Sequence, residues 1–486
     1  MASAVNAQGD AFVSDVEQAG ANGTVDIAQA GAGTGRSEVD QDGTENEAFV
    51  LQLSLVGDPN RSAIVQSAGS AGNLADVDQV GEGNDSSIAQ GGSSSRTTVM
   101  QQGEDNASIV RQQALSEGSG VLVGQAGGMN TSEVVQAGVA AFTTVTQNNA
   151  MDGVLGNDSL VTQAGAAASV DVVQSGQTNI SSVNQTAAIA VVEIDQTGVS
   201  NDSVVGQTGL GVKVAVDQDG NDNDSDVSQT GALASVDVDQ DGSDNVSNVS
   251  QIAGAAAIAV SQDGTANNSL VTGIADGSRV TVSQNGQENA SIVAQNPARL
   301  QLTNPFYRFF GPALVVIDVT DENQSATISQ DGDTNTGTIA QFGRDQLATI
   351  RQVGNANTAG SATGPAGIVQ VGESQTAAIV QNGNRNAALI GQGTDGDFAV
   401  LSNAASTGNE ALVTQNGDDG RSTVTQNGDN NFTAVLQVAG SIGNVSIINQ
   451  SGDGNNAKVT QAGTGNISTI NQIGNGNSAV VIQNGA

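Results

Sequence analysis

Carboxamides are the side chains of this sequence whose type and spacing could do directed chemistry. Glutamine recurs every 11 residues at Gln163, Gln174, Gln185, Gln196, Gln207, Gln218, Gln229, Gln240, Gln251, Gln262, Gln284 and Gln295, with Gly273 the one substitution in that run. A carboxamide carries two donors and an acceptor but no titratable proton. A column of them can therefore hydrogen-bond in series and cannot run general acid–base steps. The chain has no His, no Cys and no Trp, which removes imidazole and thiolate metal sites, Ser-His-Asp and Cys-His nucleophiles, and any disulfide framework. No catalytic residue and no cofactor site is assigned, and the sequence predicts a non-enzymatic role.

Elements that hold such a column must repeat with it. A fixed short period over this length marks a solenoid, in which each unit buries its apolar face only against copies of itself. Within Gln284 to Gln295, strand alternation aims Asn289, Ser291, Val293 and Gln295 to one side, and Ala290, Ile292 and Ala294 to the other. The first set recurs as Asn179, Ser181, Val183 and Gln185, so the inward face carries the shared identities. Gly176, Gly198, Gly220, Gly242, Gly264 and Gly286 follow the box Gln by two residues, where the chain must reverse and a residue free to take positive φ is favoured. Between Gln174 and Gln284, units bearing Asn179, Asn201, Asn223, Asn245, Asn267 and Asn289 alternate with apolar units such as Ala190, Val192 and Ile194. This second period of 22 predicts two different strands per coil. Stacked at about 4.8 Å, inward amides form ladders parallel to the backbone bonds. Each bond adds about 1 kcal/mol net, and an orphaned buried amide costs more, so the ladder also enforces register.

Composition narrows the partners. The formal net charge is -37, with 50 acidic residues against 13 basic ones, which argues against nucleic acid, whose binding requires clustered cations, and against an anionic membrane surface. No stretch approaches the roughly 20 apolar residues of a membrane span, so membrane insertion is not expected. Aromatic content of 2% is too low for a thick globular core. The opening Met-Ala-Ser-Ala-Val-Asn-Ala-Gln-Gly-Asp lacks the charged-then-apolar pattern of a signal peptide and already holds a repeat-like Gln8-Gly9. It is read as a sequence without its export signal.

The repeats divide into a first block at 1–296, a Pro- and aromatic-rich insertion at 297–313, and a second block at 314–486. Pro297, Pro305 and Pro312 interrupt the pattern, together with Phe306, Tyr307, Phe309 and Phe310. The aromatic run fits a lateral contact or adhesive tip, and equally a loop packed over exposed core. Irregular spacings from Gln52 to Gln66, Gln147 to Gln163 and Gln352 to Gln370 predict loop insertions between strands.

The pattern Gln-x-Gly-x-x-Asn-x-(Ala/Ser)-x-(Val/Ile)-x-Gln resembles the curlin repeat of curli amyloid subunits, as in QVGEGNDSSIAQ from Gln79, QQGEDNASIVRQ from Gln101, QNGNRNAALIGQ from Gln381 and QAGTGNISTINQ from Gln461. The resemblance implies an all-β fold, a two-sheet parallel β-solenoid with cross-β rungs of about 22 residues and two strands per rung. It implies secretion to the extracellular space or cell surface, polymerisation into fibres of a biofilm matrix, and curli-type secretion and nucleation proteins as partners. The chain departs from that family's known subunits in its greater length, its few aromatics and its acidic excess.

The main expectation is a structural subunit that stacks on itself head to tail. Val5 and Gln8 at one end, and Val480, Ile482 and Gln483 at the other, form the self-assembly edges. The alternative is a monomeric surface-binding β-solenoid of adhesin or ice-binding type. Outside the coil, Asp195, Asp217 and Asp239 recur 22 apart, as do Asp219, Asp241 and Asp263. Like charges at such spacing repel by roughly 0.9 kcal/mol even at the dielectric of water. A solvated face that prevents clumping, high-salt adaptation and divalent-cation bridging are all consistent with this.

Overall fold

Val and Ile at every second place, flanked by Ser, Thr and Asp, form short strands because branched side chains fit a pleated, half-buried surface. The computed structural model describes residues 12–55, 57–149, 155–252, 254–273, 276–295, 322–360, 367–393 and 406–485. Among them 71% lie in strands and none in a helix, so no helix is long and apolar enough to cross a membrane. The described residues form forty strands, from β1 (Phe12–Ala21) to β40 (Ser478–Asn484). Contacts divide the chain into two units, Met1–Leu233 and Ala234–Ala486.

Each unit is a parallel two-sheet β-solenoid with rungs of about 22 residues. In the first, β14 (Ser169–Gln177), β16 (Val191–Val199) and β18 (Lys213–Asn221) stack in one sheet, in register from Val170 through Val192 to Val214 and from Gln174 through Gln196 to Gln218. The facing sheet holds β15 (Ile180–Gln185), β17 (Asp202–Leu210) and β19 (Asp224–Ala232), pairing Gln185 with Gln207 and Gln207 with Gln229. In the second unit, β23 (Asn268–Gly273) pairs with β25 (Ala290–Gln295), and β25 pairs directly with β27 (Thr336–Arg344), so the rungs on either side of residues 296–321 stack on each other.

Between the sheets lies a core one side chain deep on each face, of Val183, Val192, Ile194 and Val205 in the first unit and Val282, Val293, Ile328 and Ile339 in the second, all buried. Each contributes roughly 1.5–3 kcal/mol relative to exposure. Serine supplies the thin positions: Ser159, Ser181, Ser203 and Ser225 stack inward, and their Oγ atoms find no hydrogen-bond partner. Their small volume lets the sheets close over the neighbouring valines.

The insertion in the Gln352–Gln370 interval differs from the expected site between strands. Gly337 pairs with Ala359 of β29 (Thr358–Ala359), and two residues later Ile339 pairs with Ile368 of β30 (Ile368–Glu373). The extra residues therefore emerge from the middle of one strand's path. Pro365 in that interval and the segment 297–313 lie outside the described residues.

The turns use two residues of positive φ, the expected glycine and a second residue that is not glycine. Gly176, Gly198, Gly220, Gly242, Gly264 and Gly286 have φ between 115° and 126°. They stack so closely that a Cβ on Gly198 would lie 1.8 Å from the Gly220 carbonyl oxygen. Two residues later the chain enters the left-handed region again, with non-glycine residues Thr178, Ser200 and Asp222 at φ 54–60°. In the alternate units even the β-branched Ile189 takes φ 54°.

Left-handed backbone costs an L-residue about 1–2 kcal/mol, and Ile189 is 63% exposed. Ile189→Gly is expected to stabilise the fold by about 0.5–1 kcal/mol after glycine's extra chain entropy is deducted. Gly198→Ala should destabilise it by several kcal/mol. Denaturant midpoints that move in the same direction for both variants would contradict this account of the turns.

Candidate functional site

Among the described residues the directed chemistry is concentrated in the columns of carboxamides. Gln174, Gln196 and Gln218 are buried in the first unit, as are Gln240, Gln262 and Gln284 in the second. Gln174 Nε2 donates to Gln196 Oε1 at 2.8 Å, and Gln196 to Gln218 at 2.8 Å. Gln240 donates to Gln262 and Gln262 to Gln284, each at 2.8 Å. In the facing sheet Gln185 donates to Gln207 at 3.0 Å and Gln207 to Gln229 at 3.1 Å. Across residues 296–321 the columns continue, from Gln284 to Gln330 at 2.8 Å and from Gln295 to Gln341 at 3.0 Å.

Each amide nitrogen has further work. Gln196 Nε2 also donates to the carbonyls of Ile180, on the opposite sheet, and of Asn201, in the turn that follows, at 2.9 and 3.2 Å. One side chain thus ties together its column, the facing sheet and the turn. Asparagine completes the turn. The backbone N–H of Asn223 donates to Asn201 Oδ1 at 3.1 Å, and Asn201 Nδ2 donates to the Gly220 carbonyl at 3.1 Å. Asn179, Asn245, Asn267 and Asn289 are buried in the same role, with Asn201, Asn267 and Asn289 donating back to the Oδ1 of Asn179, Asn245 and Asn267. Gln columns thus accept from the preceding rung, and Asn columns accept from the following one.

The single substitution breaks a column. Gly273 pairs in register with Gln251 on one side and Gln295 on the other. Gln295 Oε1 is left buried without a donor, while Gln251 remains buried and engaged elsewhere.

An outer ladder escaped the sequence reading. In the second unit the backbone N–H of Asp333 donates to Asn355 Oδ1, that of Asn355 to Asn384 Oδ1, and that of Asn384 to Asp418 Oδ1, at 3.0, 2.9 and 2.7 Å. The signal was present as Asn or Asp at the third place after Gln330, Gln352, Gln381 and Gln415. Exposed turn Asn and Asp are common for local reasons, so the sequence pattern does not stand out.

The assembly edges divide. Val5 and Gln8 lie outside the described residues. Val480 and Ile482 are 62% and 66% exposed on β40. Gln483 accepts from Gln461 Nε2 at 2.8 Å, and its own Nε2 donates to the Ile467 carbonyl. The column thus reaches β40, whose strand pairing among the described residues is with β38 (Asn456–Ala462).

Acidic side chains form the outward face. Asp195 is in register with Asp217, Asp202 with Asp224 and Asp241 with Asp263, while Asp239 faces Ser261 and Asp219 faces Thr197. Partial burial, and then the charges of Asp171, Glu193 and Asp219, push the Asp195 carboxyl above the ordinary value of 3.8. Burial followed by Asp224 and Asp226 does the same to Asp202. Lys213 approaches Glu193 at 3.9 Å as a countercharge.

The family description "Curlin associated repeat" matches residues 71–103 and 322–354, one stretch in each unit. Comparison with curated proteins gave no match.

Breaking a column should cost more than its one bond. Gln196→Leu removes the donor to Gln218 and to Ile180 and the acceptor of Gln174, an expected loss of about 2–4 kcal/mol. Gly273→Gln should do the reverse and stabilise by about 1–2 kcal/mol, since it supplies the missing donor and a Cβ there meets nothing closer than 3.6 Å. Equilibrium unfolding of both variants checks the pair, and destabilisation by Gly273→Gln would refute the column account.

The acidic face sets a pH dependence. A carboxyl whose folded pKa is raised binds more protons folded than unfolded, so its penalty is complete above the raised value and disappears as pH falls toward 3.8. Asp195→Asn is therefore expected to be more stable than the parent at neutral pH, with the difference closing on acidification. Unfolding curves recorded across that window would show a constant difference if neither burial nor neighbouring charge perturbed the carboxyl.

Proposed function

We propose, from the premise that this is a curlin-repeat protein, that it is a structural subunit of an extracellular, curli-like amyloid fibre of a biofilm matrix. Its partner is a second copy of itself, added head to tail at the solenoid ends. Curli-type secretion and nucleation proteins belong to the same reading. The role is structural and not enzymatic.

The observation that supports the reading is the serial Gln–Gln bonding of successive rungs, in which each strand is the template for the next. An edge that already holds a carboxamide in column position and offers free backbone groups templates another strand at cross-β spacing. Each added rung brings a Gln–Gln bond, a set of backbone bonds and the burial of the inward apolar side chains, Ala479 and Val481 on β40, in a single step. Such gains arise only in the correct register, because a slip of one residue turns the inward set outward.

Purified full-length protein is expected to grow fibres from seeds, and Val480→Pro with Ile482→Pro is expected to abolish that growth while leaving a β-rich monomer. Proline removes backbone donors from the edge without touching the buried columns. Electron microscopy and dye-binding kinetics measure the outcome; undiminished seeded growth of the proline variant would overturn the end-stacking mechanism, and absence of fibres from the parent protein would overturn the reading as a whole.

A further inference from the structure

One rung of the second unit lacks its column glutamine and keeps the framework around it. β23 ends at Gly273, which is buried. Its backbone stays in the ladder, in register with Gln251 and Gln295, and its carbonyl accepts from the Ile252 N–H at 3.0 Å. On the facing sheet the column passes unbroken from Gln262 to Gln284 at 2.8 Å. The strands therefore do not close over the missing side chain. Among the described residues, a Cβ built on Gly273 would meet one atom within 4 Å, Ile258 Cδ1 at 3.6 Å. Gln251 and Gln295 are two rungs apart, about 9.6 Å, which leaves the length of one carboxamide between them.

Two buried polar atoms border that gap. Gln295 is 1% exposed and its Oε1 has no donor. Ser278 is 4% exposed and its Oγ has no partner. Ser278 stands five residues after Gly273, the place beside the amide of a column residue. Gln136 Nε2 donates to the Ala141 carbonyl at 3.0 Å in that relation, and a Cβ on Gly23 would lie 3.5 Å from Gln18 Nε2. The row that holds Ser278 carries alanine in the two preceding rungs, at Ala234 and Ala256, so the coil itself does not require a hydroxyl there. An acceptor and a hydroxyl thus face one space, and together they call for a group that donates one hydrogen bond and accepts another.

We propose that the gap at Gly273 is a binding site for a small neutral primary carboxamide of the size of acetamide. The ligand's N–H donates to Gln295 Oε1 as a column glutamine would, and its carbonyl accepts from the Ser278 hydroxyl. Its methyl lies toward Ile258 Cδ1, in the place of a glutamine's methylenes. Burial without a countercharge excludes ions of similar size, and a tertiary amide has no N–H to give. Enclosed spaces in proteins take up small ligands of matching polarity, and local opening of the coil gives access. The site lies inside the coil and uses no terminal strand, so it stands or falls independently of fibre growth.

In dilute full-length protein, acetamide is expected to raise the thermal midpoint with a saturating dependence on concentration, as a ligand of the folded state does. The shift is read relative to Gly273→Gln, whose own side chain fills the gap, so that general solvent effects of the amide cancel. N,N-dimethylacetamide should give no saturable shift. Ser278→Ala, which restores the residue found at Ala256, should fold normally and require about tenfold more acetamide for half-saturation. Equilibrium dialysis with radiolabelled acetamide should find one molecule per chain in the parent and none in Gly273→Gln, a readout that does not depend on unfolding. Absence of bound label in the parent would overturn the proposal and leave the gap to water. Equal binding by the parent and Gly273→Gln, or undiminished affinity in Ser278→Ala, would overturn it as well.

Discussion

A buried carboxamide must find both donors and acceptors, and in the glutamine columns an identical residue one rung away supplies one of each, while backbone carbonyls of the facing sheet and the turn take the rest. That requirement governs most of the rest. It fixes the parallel direction of the strands, because antiparallel neighbours would not place Gln196 over Gln174 and under Gln218. It fixes register more sharply than valine could, since valine in a neighbouring valine's place still buries its methyls, whereas a displaced amide is orphaned. A thin core with little apolar area therefore suffices to specify one fold.

The columns also explain how the coil accommodates irregularity. Stretches of different length interrupt the second unit between Gln295 and Gln426, yet Gln295, Gln341, Gln370, Gln392 and Gln426 remain bonded in series. The chain leaves, and on its return the next glutamine finds the same partner. Even a break inside a strand, between Ala359 and Ile368, leaves Gln370 in place. Continuity belongs to the column and not to the covalent order of the backbone.

Much of this architecture was legible in the sequence, for a physical reason: a solenoid writes its inward face as repeated identities. The phase of Asn289, Ser291, Val293 and Gln295 distinguished inside from outside, and the alternation of Asn-bearing with apolar units indicated two strands per rung. What repetition does not encode escaped notice. Left-handed backbone at Thr178 and Ile189 has no residue signature, because the rungs above and below impose it on whatever side chain is there. The Asn355, Asn384 and Asp418 ladder is written in residues that turns attract anyway.

The shared sense of the two glutamine columns has an electrostatic consequence. The carbonyl of each column glutamine faces the rung before it, as Gln196 faces Gln174, and that of each column asparagine faces the rung after, as Asn201 faces Asn223. An α-helix sums its aligned peptide dipoles into partial charges at its ends, and a single column of like-oriented amides would build a similar field. Both glutamine columns of a coil run in the same sense, Gln174 to Gln196 and Gln185 to Gln207, so their dipoles add, while Asn201 turns both its Oδ1 and its Nδ2 to the rung after and does not oppose them. Lengthening the stack therefore lengthens an aligned array of amides, with carbonyl oxygens toward its first rung and N–H groups toward its last.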